Sequence, residues 1–515
     1  MVNVIIIAKI CFKSRVSYQQ VSFMIEKNKK FYITTSIAYT NAVPHCGFAL
    51  EVIQADVIAR FHRILGEDVL FLTGTDEHGS KIARASQEAD KSPIQFTDEI
   101  SARFQKLKET LNLSNDDFIR TTDQKRHWPS VEKVWNQLLA QEDIYKKQYK
   151  GFYCVGCEAF LVQRELIDGK CPIHKKDPEI VEEENYFFKL SQYQSQLKDI
   201  LEKNKIQIFP QARKNEMLGF IKEGLEDISC SRVKEKLQWG IPAPNDDTQI
   251  VYVWFEALIN YISALDYAVD GAKFKKYWPV DVHCIGKDIS RFHLLLWPAM
   301  LLALGLELPK SVLIHGFINV AGEKMSKSLG NVVDPFELIG KYTQKIGNKE
   351  AAIDALRYFL LREISPTEDG DFTYEKFEER YNADLANGIG NLVARVTALA
   401  TKLKIKNENI KTTIKNEKLN AQVGKTKKGC AQFLEEFKFN EALGAIWELI
   451  SFCDKYVNEQ KPWEGKESSK EVISDLLLAI SQIAELLKPF LPQTSERIVE
   501  QLKTGKSTPL FPRIS

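Results

Sequence analysis

The chain has 515 residues, 44% hydrophobic and 27% charged, the composition of an ordinary globular protein and not of a disordered or fibrous one. Its 70 Lys+Arg against 69 Asp+Glu leave a net charge of +1, which excludes a global basic field, so any RNA partner must be held by local patches. No apolar run reaches the ~20 residues needed to span a bilayer, and at roughly 150 residues per domain the length implies three or four domains.

Residues 1–29 read as an extension. The first 23 carry Lys9, Lys13 and Arg15 and no acidic residue. Because Met24 is followed at once by Ile-Glu-Lys-Asn-Lys-Lys and the first convincing strand, an overcalled start or a disordered extension fits better than a transit peptide. Phe31–Ile37 is β-branched and aromatic, and Leu50, Ile53, Val57, Ile58, Phe61, Ile64 and Leu65 recur at helical spacing. A second buried-type strand, Val69–Thr73, follows the turn at Gly66-Glu67-Asp68, and a further helix begins after Gly79. Such alternation predicts an α/β fold with a doubly wound parallel sheet of the Rossmann type.

Between about 140 and 250 a charged, cysteine-containing segment interrupts this pattern, which resumes at Ile250–Phe255 and continues with strands at Val282–Ile285 and Val312–His315. The domains expected are therefore a split catalytic fold over 30–139 and 250–322, a connective insertion over 140–249, a loop region over 323–383 and an all-α bundle over 384–515. In the bundle Leu385, Ile389, Leu392, Val393, Val396 and Leu399 share one helical stripe, and Ile473–Phe490 forms another apolar helix before Pro492. There is no internal repeat.

Three of nine cysteines cluster as Cys154-x2-Cys157-x13-Cys171-x2-His174. Two short-range pairs on two turns can converge on one tetrahedral ion, so this predicts a structural zinc with a closed coordination sphere, in a reducing, cytoplasmic compartment.

Pro44-His45-Cys46-Gly47-Phe48 lies between the first strand and the following helix, where backbone N–H groups favour an anion, Gly47 permits close approach and His45 can donate to phosphate. Far downstream, Gly322-Glu-Lys324-Met-Ser-Lys327-Ser-Leu-Gly330 supplies a cationic, glycine-bounded loop able to neutralise a leaving pyrophosphate. The pair resembles the signature of class I aminoacyl-tRNA synthetases. Residues 30–510 resemble the methionyl-tRNA synthetases in particular, through Thr34-Thr-Ser-Ile-Ala-Tyr39, Gly74-Thr-Asp-Glu-His-Gly79 and Val253-Trp-Phe-Glu-Ala-Leu-Ile-Asn-Tyr261.

The resemblance implies activation of methionine with ATP, accompanied by magnesium, and transfer to initiator and elongator methionine tRNA. It implies that His45, Lys324, Lys327 and Arg232 are catalytic; that His45, Gly47, Gly286, Asp288, Lys324 and Lys327 bind ATP; and that Ile37, Tyr39, Asp76, Trp254, Ala257, Tyr261, Ile289 and His293 bind methionine. Asn391 and Arg395, one helical turn apart, and Trp463 after Lys461-Pro462 are expected to read anticodon bases by hydrogen bonding and stacking. The chain departs from the family pattern at Ser36 and Ala38, where Pro and Tyr are usual, at Glu256 for Asp, and at Phe48 for a second histidine. Alternatives are another class I synthetase, for Leu, Val, Ile or Cys, or a catalytically weakened tRNA-binding paralogue. The short insertion argues against a separate editing site. With no domain expected after the bundle, a monomer is expected.

Overall fold

A computed structural model describes residues 29–514, apart from 157, 162, 164, 165, 173, 174, 326–329 and 406–412. Its centre is a six-stranded, wholly parallel sheet: β1 Lys30–Tyr39, β2 Asp68–Asp76, β3 Asp117–Arg120, β4 Gln207–Phe209, β5 Val282–Gly286 and β6 Ser311–His315. The spatial order is β3-β2-β1-β5-β6-β4. Helix α1, Cys46–Ile64, buries a nearly continuous face including Leu50, Ile53, Val57 and Ile58 against β1. Parallel strands covered on both faces need hydrophobic side chains pointing both ways, and every residue of β5 and β6 is buried.

Two sequence expectations change. The expected insertion is not wholly separate, because its three-residue segment Gln207–Phe209 pairs with β6 as the outermost strand of the central sheet. Ile250–Phe255 does not return to that sheet. Asp246–Val251 instead pairs antiparallel with Ser231–Val233 and Pro242–Ala243, and Val253–Leu258 is helical. A short apolar run buried on all sides carries no period that separates strand from helix.

The remaining insertion is an antiparallel sheet in the order Ala159–Leu161, Ile144–Cys154, Glu179–Phe188, Ile228–Ser229. A small sheet of Ile318–Val320, Glu323–Lys324 and Gly370–Phe372 carries the base of the lysine loop. Two helices, Pro335–Ile346 and Lys349–Arg362, already precede the expected start at 384, and helical structure resumes at Tyr374 and runs through a π-helical stretch, Tyr381–Gly390, into Asn391–Lys402. Four further helices, Glu417–Glu435, Phe439–Gln460, Ser469–Leu487 and Pro492–Thr504, complete the bundle.

A fully buried arginine joins the two halves. Arg357 donates to Asp56 of α1 at 2.7 Å, to the Leu111 carbonyl at 3.1 Å, and to the Phe490 and Pro489 carbonyls of the bundle at 2.8 and 3.2 Å. Asp56 also accepts from Arg60 and Ser114, so the buried charge is compensated on every side. Among the described residues no helix is long and apolar enough to cross a membrane.

Candidate active site

Strand order reverses between β1 and β5, and in doubly wound sheets ligands bind outside the carboxyl ends at that point. A cavity of about 340 Å³ opens there, walled by the strand-end residues Tyr39, Asp76, Gly286 and His315. The register of β1 slips between Thr34 and Ile37, a bulge that brings Ser36, Ile37 and Tyr39 to the cavity wall.

At one end lies the start of α1. His45 is its N-cap, with Nδ1 accepting from the Gly47 N–H at 3.0 Å. That bond leaves the proton on Nε2, and burial holds the ring's pKa below its ordinary value, so His45 is a neutral donor. A Cβ on Gly47 would stand 2.8 Å from the His45 ring, so glycine is required by space. No acidic side chain offsets the dipole in the first turn of α1. Phe48 meets Phe104 edge-to-face at 5.2 Å, and Met325 lines the same wall. Lys324 ends the strand Glu323–Lys324, and Lys327 lies outside the described residues.

The other end is aromatic. Trp254 stacks on Phe292 at 4.3 Å with planes 8° apart, giving a flat wall beside Ala257, Ile289 and Ile37. Tyr261 donates to His293 Nε2 at 2.7 Å, and His293 Nδ1 donates to the Ile289 carbonyl at 3.1 Å. Burial pushes His293 down to about 4, so it is neutral, and with both nitrogens engaged it presents only its ring edge to the cavity.

Between the two ends is Asp76. Its Oδ1 is buried with no partner among the described residues, and burial, with Glu256 and Glu158 nearby, raises its pKa well above the usual carboxylate range. Behind it the buried Glu256 carboxylate bridges His78 at 2.8 Å and His127 at 2.7 Å. Burial pushes Glu256 up, yet the two histidines hold it below its ordinary value. Within α1, Glu51 accepts from His315 Nε2 at 2.8 Å and from the Ser36 N–H at 2.7 Å, and His315 Nδ1 donates to the Gly316 carbonyl. Despite burial, the Glu51 contact raises the His315 pKa above its ordinary value, favouring the form in which both ring nitrogens donate. A Cβ on Gly286 would lie 2.8 Å from Asp288 Oδ1, so the bare backbone keeps that carboxylate close.

The structure therefore brings together at one cavity His45, Gly47, Ile37, Tyr39, Asp76, Trp254, Ala257, Tyr261, Gly286, Asp288, Ile289 and His293. Arg232 is not among its walls. It lies over the Tyr153 ring at 4.1 Å and pairs with Glu183 at 3.2 Å, within the insertion. Glu51, Phe104, His127, His315 and Glu158 were missed, because each acts through partners far away in sequence. His315 alone carried a signal, a polar residue closing a buried strand.

In the insertion, Cys154 and Cys171 are buried in one small cluster with Leu161, and Lys175 N–H donates to the Cys171 carbonyl at 2.8 Å to close a tight turn. This disposition suits sulfur ligands of a knuckle. Cys157 and His174 lie outside the described residues. In the bundle, Asn391 is exposed and Arg395 lies over the Trp463 ring at 4.9 Å. Trp463 is 40% exposed, an unusual position for so large an apolar ring. Asn382, at the start of the same helical run, exchanges hydrogen bonds with the Ile514 backbone.

Residues 31–177 and 162–397 match the family described as "tRNA synthetases class I (M)", and 416–513 match "Anticodon-binding domain of tRNA ligase". The chain is 43% identical to the methionine–tRNA ligase of Thermotoga maritima, over 92% of this chain and 75% of that one. It is 42% identical to that of Nostoc sp., over 93% and 90%. The fold superposes on Mycobacterium tuberculosis methionyl-tRNA synthetase in complex with methionyl-adenylate with a TM-score of 0.86, at 36% identity, covering 94% of this chain and all of that one. The apo form of the same enzyme gives 0.79 at 33% identity. The chain belongs to the methionyl-tRNA synthetase family of class I enzymes, the ATP-dependent ligases that join methionine to tRNA.

Proposed function

We propose that the cavity holds methionine and ATP together and makes methionyl-adenylate by attack of the methionine carboxylate on the α-phosphate, with pyrophosphate leaving. The observation that carries this is the orphaned Asp76 oxygen. A buried carboxyl oxygen without a partner is costly, and an incoming ammonium group both pairs with it and favours its ionised form. The flat Trp254 wall with Ala257, Tyr261, Ile289 and the His293 ring edge suits a polarizable thioether.

The nucleophile is already an anion, so no general base is needed; positioning and charge stabilisation suffice. His45 Nε2–H donates to phosphate oxygens, Gly47 admits them to the backbone, Gly286 lies under the nucleoside and Asp288 accepts from the ribose. Lys324 and Lys327 neutralise the leaving pyrophosphate, and magnesium accompanies the ATP. Arg232, held by Glu183 and Tyr153, assists from the insertion, and methionine then passes to the 2′-hydroxyl of the terminal ribose with release of AMP.

Asn391, Arg395 and Trp463 read the anticodon of initiator and elongator tRNA alike, with Trp463 stacking an unstacked base. Cys154, Cys157, Cys171 and His174 hold one zinc, which would stiffen the insertion. Of the domain limits read from the sequence, 249/250 falls inside the strand Asp246–Val251 and 383/384 inside the stretch Tyr381–Gly390, so the insertion extends to Val251 and the helical domain begins at Tyr374. The enzyme works in the cytoplasm.

ATP–pyrophosphate exchange across methionine, leucine, isoleucine, valine and cysteine tests the assignment. Exchange should require methionine and fall sharply in Asp76→Asn; exchange driven equally by another amino acid refutes it.

A further inference from the structure

Glu158 belongs to the insertion, directly after Cys157 in the sequence, yet it is only 3% exposed and its side chain meets the catalytic fold. It takes a left-handed backbone conformation, φ +50°, uncommon for a residue with a side chain. Its carbonyl accepts from the Tyr252 hydroxyl at 2.6 Å. One carboxylate oxygen accepts from the Tyr39 hydroxyl at 2.5 Å. The other accepts from Ser80 Oγ at 2.6 Å and from the Lys81 N–H at 2.9 Å.

The last two contacts cap helix α2, Ser80–Glu88, which lacks a cap of its own because its N-cap is Gly79. Gly79 has φ +107°, and a Cβ there would stand 2.4 Å from the Tyr39 hydroxyl and 2.9 Å from Glu158 Oε1. The glycine thus vacates the space into which the insertion's carboxylate reaches. A carboxylate at a helix N-terminus also meets the favourable end of the dipole. Tyr39 and Asp76, three residues before Gly79, both wall the cavity, so one side chain braces the two strand ends between which methionine is placed.

We propose that Glu158 is a positioning residue for methionine recognition: from the insertion it fixes the Tyr39 ring and the first turn of α2, so the inserted domain sets the shape of the pocket. This rests on the assignment of the cavity made above. Glu158→Gln keeps the shape but cannot accept all three bonds.

Kinetics of ATP–pyrophosphate exchange test it. Glu158→Gln should raise KM for methionine about tenfold, the low end for a lost hydrogen bond to a charged group, with KM for ATP and kcat within about twofold. Tyr39→Phe, which removes one hydroxyl, should do the same. Because both variants break one linkage, the double variant should match either single one within about twofold. A parallel rise in both KM values, a double effect equal to the product of the single ones, or an unchanged methionine KM in Tyr39→Phe overturns the proposal. If Glu158→Gln does not fold, Tyr39→Phe decides alone. Asp76→Asn separates the two levels. Loss of methionine binding there with none at Glu158 and Tyr39 overturns only the brace, whereas no loss at Asp76 overturns the pocket itself.

Discussion

Phe48→His gives the sharpest test of how this active site carries transition-state charge. The phenylalanine is half-buried, packs against the core and meets Phe104 edge-to-face at 5.2 Å and 83°. Losing that pair should cost about 0.5–1.5 kcal/mol of stability, which at about 2.1 cal/mol/K of unfolding entropy per residue lowers the melting temperature of so long a chain by only roughly 0.5–1.5 °C. Against this, a donor aimed at developing charge is worth about 10²- to 10³-fold in rate. His45 already supplies one donor from the same helix start, and Lys324 and Lys327 stand to carry part of the load, so the expected gain is smaller, about 10- to 100-fold. The assay is single-turnover formation of the adenylate at saturating substrates, with methionine affinity measured separately by tryptophan fluorescence, since Trp254 lines the cavity. Affinity should stay within about twofold, because the new bond forms chiefly in the transition state. An unchanged or slower rate, with the fold intact, would refute the reasoning and show that the phosphate end has been rebuilt around the Phe48–Phe104 pair.

Trp463→Ala should lower kcat/KM for tRNA charging by about 1–3 kcal/mol, the worth of a base–aromatic stack, while methionine-dependent ATP–pyrophosphate exchange stays unchanged; equal loss in both assays would make Trp463 a packing residue. Cys171→Ser should lower zinc content and thermal stability together, as metal binding couples to folding, and one zinc per chain retained in the variant would sink the assignment. Arg357→Ala leaves Asp56 buried without its main partner and should destabilise by about 3–5 kcal/mol, read by calorimetry. Arg357 and Arg60, outweighing burial, hold the Asp56 carboxyl below its ordinary value. Its contribution is therefore complete above the unfolded-state pKa of about 3.9 and lost as pH falls through the lower folded value. The variant should accordingly unfold at a higher pH than the wild type on acid titration, and an unshifted acid midpoint would count against the pair.

Period and chain punctuation made the parallel sheet, the helix after His45 and the terminal bundle readable, because each is a long element with one dominant pattern. Gln207–Phe209 escaped notice because three residues carry no period, and only pairing with β6 makes them a strand. Ile250–Phe255 misled because a wholly buried turn of helix and a wholly buried strand have the same composition. The first layer of the site was legible through motifs, but the layer behind it was not. Glu51 meets His315 from 264 positions away and Glu256 meets His127 from 129, and nothing local to a glutamate reveals such a partner. Arg232 shows the converse limit, since its motif was matched while its partner, Glu183, was invisible in sequence.

The departures from the family pattern differ in what the fold does with them. Ser36 stands where proline is usual, and both its N–H and its hydroxyl donate to Glu51, at 2.7 and 2.5 Å; proline has no N–H to offer, so the change adds a tie that steadies the Glu51–His315 pair. Glu256 is longer than the usual aspartate by one methylene, and each of its oxygens reaches a separate histidine at under 3 Å. Ala38 replaces a ring with a methyl group at the cavity wall and asks for no hydrogen bond. Phe48 is of another kind. The lost histidine is replaced by packing against Phe104, which stabilises the ground state and the transition state equally, and uniform stabilisation does not speed the chemical step. Of these four positions, therefore, only Phe48 should leave a deficit in the rate of adenylate formation, and substitution at Ser36 or Glu256 should instead be felt first in stability and methionine binding.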